Sequence, residues 1–179
     1  MNKKGENKIV RCDETKIVFL CESKKYGNKE VTVDVEDWIN IKGYHWGMWL
    51  TSYGCFHATT NIAHSGKRMQ FSLHRFILSN PENKDVDHKN HDTLDNRKEN
   101  LRECSRSENN ANSRLRTGSK SGFKGVSWDA DRGKWRACIS IKHKYKQIGR
   151  FENIITAARA YNAAAVKYFG EFAFINEGI

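Results

Sequence analysis

The sequence predicts an α+β fold made of two small units, and three observations carry the prediction. Short β-type runs broken by turn residues occupy the first part of the chain. A strand, loop, strand and helix pattern follows from Val86 to Asn110, and after Gly122 three more short strands lead into one amphipathic helix. A length of 179 residues has room for two compact units. A formal charge of +10 and a pI near 9.4 give the chain a field that attracts polyanions, nucleic acid first among them. The charge is uneven: residues 1–70 carry +3, residues 71–121 carry +2 and residues 122–179 carry +5.

Composition also excludes some classes. The five cysteines, Cys12, Cys21, Cys55, Cys104 and Cys138, form no Cys-x-x-Cys pair, so neither a disulfide framework nor a zinc ribbon is indicated. They read as reduced thiols of a cytoplasmic protein. The first residues are charged throughout, and no apolar run reaches the roughly eighteen residues a membrane span needs, so no membrane partner is expected.

Residues 1–8 are polar and expected to fray. Ile17 to Leu20 and Val31 to Val33 flank the turn-prone Lys24 to Asn28 and predict a hairpin. Asp34 and Asp37 open a short helix from Val35 to Ile41. Trp38, Tyr44, Trp46, Trp49, Tyr53 and Phe56 crowd the next stretch. Alternation at Trp46, Met48 and Leu50, a turn at Ser52 to Gly54, a return from Cys55 to Asn61 and a turn at Ser65-Gly66 before Met69 to Leu73 predict an antiparallel sheet whose body these aromatics pack. A base-stacking surface is the sharper alternative. His45, His57 and His64 show no ligand spacing and read as structural or exposed. Leu73 to Leu78 suggests a short helix ending at Ser79-Asn80-Pro81, with His74 structural or facing a cleft.

The central stretch holds the chemistry. Val86-Asp87-His88 has strand character, and alternation sends Asp87 and His88 to opposite faces unless the strand ends there. Lys89 to Lys98, rich in Asn and Asp, suits a loop that hydrogen-bonds its own backbone, with Asn96 a loop former and His91 exposed. Asn100-Leu101 opens a second strand. Ser105 to Glu108 has the Ser-x-x-Glu form of a capping box, which sets Asn109 in the first turns of a helix.

Asp87-His88, Asn100 and Asn109 resemble the HNH nuclease motif, a ββα-metal unit, in the variant that ends in asparagine. Phosphodiester hydrolysis needs an activated water, a cation to offset charge on the transition state, and help for the departing O3′. A neutral His88 has the reference pKa of a general base at working pH. The resemblance implies that the Asn100 side-chain carbonyl receives the other imidazole N–H. It also implies that Asp87 and Asn109 supply oxygens to one divalent cation, Mg²⁺ or Mn²⁺. The chain departs from many relatives in having Asn109 beside Asn110 where they have histidine. Which of the two asparagines ligates stays open, with Asn109 preferred, and an amide oxygen favours Mg²⁺ over Zn²⁺.

Residues 112–121 are small, polar and basic and read as a linker, whose Arg114, Arg116 and Lys120 could follow a phosphate backbone. Beyond it, strands are expected at Gly125 to Trp128, Lys134 to Lys142 and Lys146 to Phe151. Asn153 would then cap a helix that ends near Gly170. On the middle strand Trp135, Ala137, Ile139 and Ile141 share one face; Arg136, Cys138, Ser140 and Lys142 share the other. Gly125-Val126, Gly133 to Ala137, Ile148 to Phe151, Ala157 to Tyr161 and Phe169 to Asn176 resemble an AP2/ERF DNA-binding domain. That resemblance implies a sheet face laid in the major groove of double-stranded DNA. Carried over by position, the contacts are Lys124, Trp128, Arg132, Arg136, Lys142, Lys146 and Arg150. Cys138, Ser140 and Ile148 depart from the usual readers, so no target sequence carries over.

The whole sequence therefore reads as an HNH nuclease domain at residues 1–111 with its ββα-metal core at about 84–111. A basic linker at 112–121 and an AP2/ERF-like three-stranded antiparallel sheet packed on one helix at 122–179 follow. The expected function is a DNA endonuclease of the homing type, encoded by a phage or mobile element and acting in the bacterial cytoplasm as a monomer or weak dimer. The rivals are a DNA-binding regulator with an inactive nuclease unit and an RNA-binding protein.

Overall fold

The computed structural model describes residues 7–52, 54–64, 66–115, 118–142 and 144–179, with the side chain of His64 left aside. Tyr53, Ser65 and Arg116, each named above, and residues 1–6 of the stretch expected to fray lie outside the described residues. Two compact units emerge, Met1–Glu103 and Cys104–Ile179. No helix among the described residues is long and apolar enough to cross a membrane.

In the first unit, β1 (Lys8–Cys12), β2 (Lys16–Cys21) and β3 (Lys29–Asp34) form an antiparallel sheet in that order. The hairpin between β2 and β3 is the expected one, and β1 adds a strand that short polar-interrupted sequence did not announce. α1 (Val35–Ile41) follows with the expected bounds. Asp34 is its N-cap residue but makes no side-chain cap; its Oδ2 instead accepts the Lys98 N–H at 2.7 Å. A second antiparallel sheet joins β4 (Gly47–Leu50), β5 (Phe56–His64) and β6 (Lys67–Ser72). It leads into α2 (Leu73–Ile77), after which Ser79 and Asn80 take positive φ ahead of Pro81.

Alternation drives the core. Ile17, Phe19, Val31, Val33, Ile41, Trp46, Ala58 and Leu73 form one buried cluster. The fully buried Trp46 satisfies its indole N–H on the Ile41 carbonyl at 3.0 Å and meets Tyr44 and Phe76 edge to face. The aromatics are thus packed body, as expected, although Trp49 is 54% exposed. β7 (Asp85–His88) and β8 (Leu101–Cys104) make a two-stranded pair around the polar loop. The second strand begins at Leu101, one residue after Asn100.

In the second unit, α3 (Arg106–Asn112) starts with both halves of the expected capping box: Ser105 Oγ accepts the Glu108 N–H and Glu108 Oε2 accepts the Ser105 N–H. β9 (Val126–Asp129), β10 (Lys134–Ile141) and β11 (Lys144–Phe151) form an antiparallel sheet with β10 central. α4 (Ile154–Phe169) lies on it through Ala157, Ala158, Tyr161 and Ala165. Asn153 caps α4 by accepting from Ile155 N and Thr156 N. Gly125, at φ +75°, is needed where the sheet starts, because a Cβ there would lie 2.0 Å from the Tyr161 ring.

α3 belongs to this second compact unit, whereas the sequence reading ended the nuclease domain at residue 111. Hydrogen bonds explain the grouping. The Phe174 N–H reaches the Ala111 carbonyl at 3.3 Å, and Lys124 bonds the end of α3.

Candidate functional site

His88 is the last residue of β7, so the strand ends where Asp87 and His88 would otherwise diverge; both are buried. Arg102, on β8, aims Nε and a terminal nitrogen at a single Asp87 oxygen, Oδ2, at 3.0 and 2.9 Å. The carboxylate is thereby oriented by a charge-assisted pair. Sequence reading did not single out Arg102; its place opposite Asp87 depends on the pairing of two strands.

The loop between them is tied to the first sheet. Thr32 N–H donates to the Leu94 carbonyl at 2.9 Å, and the Asn96 N–H donates to the Thr32 carbonyl at 2.8 Å. Arg97 grips Asp95 with two parallel bonds of 2.8 Å. Asn100 donates its amide to the Asp95 carbonyl at 2.7 Å and accepts the Asn90 N–H at 3.0 Å. It therefore braces the loop, and the expectation that its carbonyl receives the imidazole N–H is corrected. The ring's amide neighbour is Asn96, whose Oδ1 lies 3.4 Å from His88 Nε2. Asn96 is 1% exposed, and its Nδ2 has no hydrogen-bond partner among the described residues. Such an orphan costs about 1–3 kcal/mol, so stability alone does not account for the residue. Asn96 had read as a loop former, and only the docking of the loop on β3 turns it toward the histidine.

His57, read as structural or exposed, and His74, read as structural or facing a cleft, complete the surroundings. The rings of His57 and His74 lie 5.9 and 5.1 Å from that of His88, and their own Nδ1 atoms are 3.4 Å apart. Ser72 Oγ lies 3.4 Å from His74 Nε2. Burial pulls the pKa of His57 down to about 4 and that of His74 well below the ordinary value, with neighbouring imidazoles adding to both shifts. Burial lowers His88 too, opposed in part by Asn96 and by Asp87, Asp92 and Asp95. Near neutral pH all three rings are neutral, the form in which an imidazole can accept a proton.

Asn109 sits on α3 in the second unit, its N–H donated to the Ser105 carbonyl at 3.0 Å. Its amide oxygen and the Asp87 carboxylate are both hard donors. Among the described residues no group of three His, Cys, Asp or Glu could hold an ion.

On the sheet of the second unit, strand register sorts the candidate DNA contacts. Arg136 faces Arg150 across β10 and β11, on the side away from α4, with Ser127 beside Arg136 on β9. Asp129 accepts from Arg150 Nε at 2.7 Å, a bond that lowers the Asp129 pKa and offsets the like-charge pair. Arg132 is exposed in the turn before β10, Lys142 takes φ +47° in the turn after it, and Arg114 is exposed beyond α3.

Three candidates do not lie on that face. Trp128 pairs with Trp135 on the α4 side, ring centroids 5.1 Å apart. Lys146 pairs with Ile139 and donates to the Tyr168 hydroxyl of α4 at 2.7 Å. A bulge between Ala137 and Cys138 shifts the register of β11, which strict alternation could not anticipate. Lys124 turns to α3: its ammonium donates to the carbonyls of Asn110, Ala111 and Ser113 at 3.1, 2.6 and 2.6 Å. Burial pulls that ammonium down to about 8, while the carbonyls favour its charged form.

Comparison with known proteins places the central stretch. Residues 79–111 match the family model described as HNH endonuclease. No curated protein sequence matches at a significant level. A solved structure described as "DNA binding and cleavage by the HNH homing endonuclease I-HmuI" is similar at 17% identity over 83% of this chain and 89% of that one, with a TM-score of 0.34. The matched residues contain β7, the braced loop, β8 and most of α3. The chain accordingly carries an HNH endonuclease segment, the mark of a phosphodiester-cleaving hydrolase.

Proposed function

We propose that the chain is a homing-type DNA endonuclease whose HNH segment cuts one strand of double-stranded DNA and whose C-terminal sheet directs it to its target. The observation that carries the proposal is the buried Asp87-His88 pair at the end of β7, inside the segment that matches the HNH model. In the assigned roles, neutral His88 accepts the proton of the attacking water. With its Nε2–H turned to Asn96 Oδ1, the lone pair lies on Nδ1. Arg102 orients Asp87, and Asn100 keeps the loop folded beneath the ring.

Asp87 and Asn109 are the residues that would hold Mg²⁺ or Mn²⁺, which when bound offsets charge on the transition state and the departing oxygen. For targeting we assign an AP2/ERF-like mode, in which the outer face of β9 to β11 enters the major groove with Arg136 and Arg150, flanked by Arg132 and Lys142. Arg114 would follow the backbone. Splitting the work this way is economical, since backbone contacts position and groove contacts specify.

The test is metal-dependent nicking of plasmid DNA. Wild type should nick with Mg²⁺, and His88→Ala should lose nicking by about a hundredfold or more while keeping duplex affinity. Nicking by His88→Ala at the wild-type rate would remove the proposed base.

A further inference from the structure

Lys124 lies just before β9, and its ammonium has three N–H donors. All three find backbone oxygens at the end of α3, those of Asn110, Ala111 and Ser113, with Ser113 Oγ at 3.3 Å. The last carbonyls of a helix lack intrahelical partners and form the negative end of its dipole, so a cation there meets both needs. The backbone of Lys124 is itself pinned. Its N–H donates to Asn176 Oδ1 at 2.7 Å and its carbonyl accepts from Asn176 Nδ2 at 3.1 Å. Asn176 in turn exchanges two bonds of 2.9 Å with Asn162 of α4. The ammonium also lies 5.1 Å from the ring centre of Phe174, whose N–H bonds the Ala111 carbonyl.

We infer that Lys124 is a positioning residue for α3: it fastens the helix that carries Asn109 to the first strand of the DNA-reading sheet. The inference rests on the reading of Asn109 as a metal ligand given above. A phosphate contact, the role its sequence position suggests, would have to compete for donors already matched one to one. α3, with Asn109 on it, is thereby held to the residues that lead into β9.

The test uses the full chain as Lys124→Met, which keeps the stem and removes the donors, and as Lys124→Arg. In Lys124→Met the amides at the end of α3 should exchange with deuterium about tenfold faster, the effect of losing a charge-assisted hydrogen bond. Terbium luminescence should report weaker ion binding, and nicking should fall in kcat with KM for duplex within about twofold, because transition-state help is lost and duplex binding is not. Lys124→Arg should recover part of each. A duplex affinity whose salt slope drops by about one, with exchange of α3 unchanged, would identify a phosphate contact and overturn the inference.

Should the Met variant fail to fold, lysine labelling of the wild type decides. Lys124 should label slowly with or without duplex; fast labelling that duplex suppresses would overturn it. If wild type neither nicks nor binds terbium, the reading of Asn109 fails, and the exchange measurement still judges the clamp.

Discussion

The packed histidines make stability of the first unit acid-sensitive in a calculable way. His57 has a pKa near 6.5 when the chain is unfolded and about 4 when folded. Between those values the unfolded chain binds more protons, so stability rises with pH through the window and is lost as pH falls below about 6.5. For His57 alone, moving from pH 7.5 to pH 5 should cost about 2 kcal/mol, approaching about 3 kcal/mol below pH 4. His74, lowered in the same direction, adds to the loss. The assay is urea unfolding at the two pH values, read by pulsed hydrogen exchange on peptides from residues 16–34, which hold core strands of this unit. In His57→Phe the baseline stability changes, but the difference between the two pH values should shrink by about 2 kcal/mol. An equal pH difference in wild type and variant would refute the claim that burial holds this ring neutral.

Three further outcomes are expected. Gly125→Ala places a Cβ 2.0 Å from the Tyr161 ring and 2.7 Å from the Cys138 carbonyl at positive φ. It should cost about 3 kcal/mol or more in thermal unfolding of the second unit, and a loss under about 1 kcal/mol would contradict the packing described. Arg102→Met should destabilise the first unit by about 3 kcal/mol because it takes the guanidinium from a buried carboxylate. Adding Asp87→Asn should return part of that loss, and full additivity of the two changes would deny the pairing. Arg136→Ala should lower the salt slope of duplex binding by about one while Lys146→Ala leaves it alone, as their opposite faces require; equal effects would show that the face assignment is wrong.

Much of this molecule was legible in the order of its residues, because the signals involved are local. Asp34 before Val35 marks a helix start, Ser105 and Glu108 close a capping box, Asn153 caps α4, and strict alternation on β10 separates Ala137 and Ile139 from Arg136 and Ser140. The motif residues Asp87 and His88 are singled out the same way, since a carboxylate beside an imidazole is written in adjacent positions.

What only the tertiary structure decided are the partners of those groups. Asn96 rather than Asn100 meets the imidazole because the loop pairs with Thr32, and His57 and His74 reach it from β5 and α2. Lys146 turns to α4 because a bulge displaces its register, and Lys124 turns to α3 because the carbonyls at a helix end lie in reach. Local sequence determines how each segment bends and which face is apolar. The choice among several donors for one acceptor is made by distances that exist only after the segments have packed.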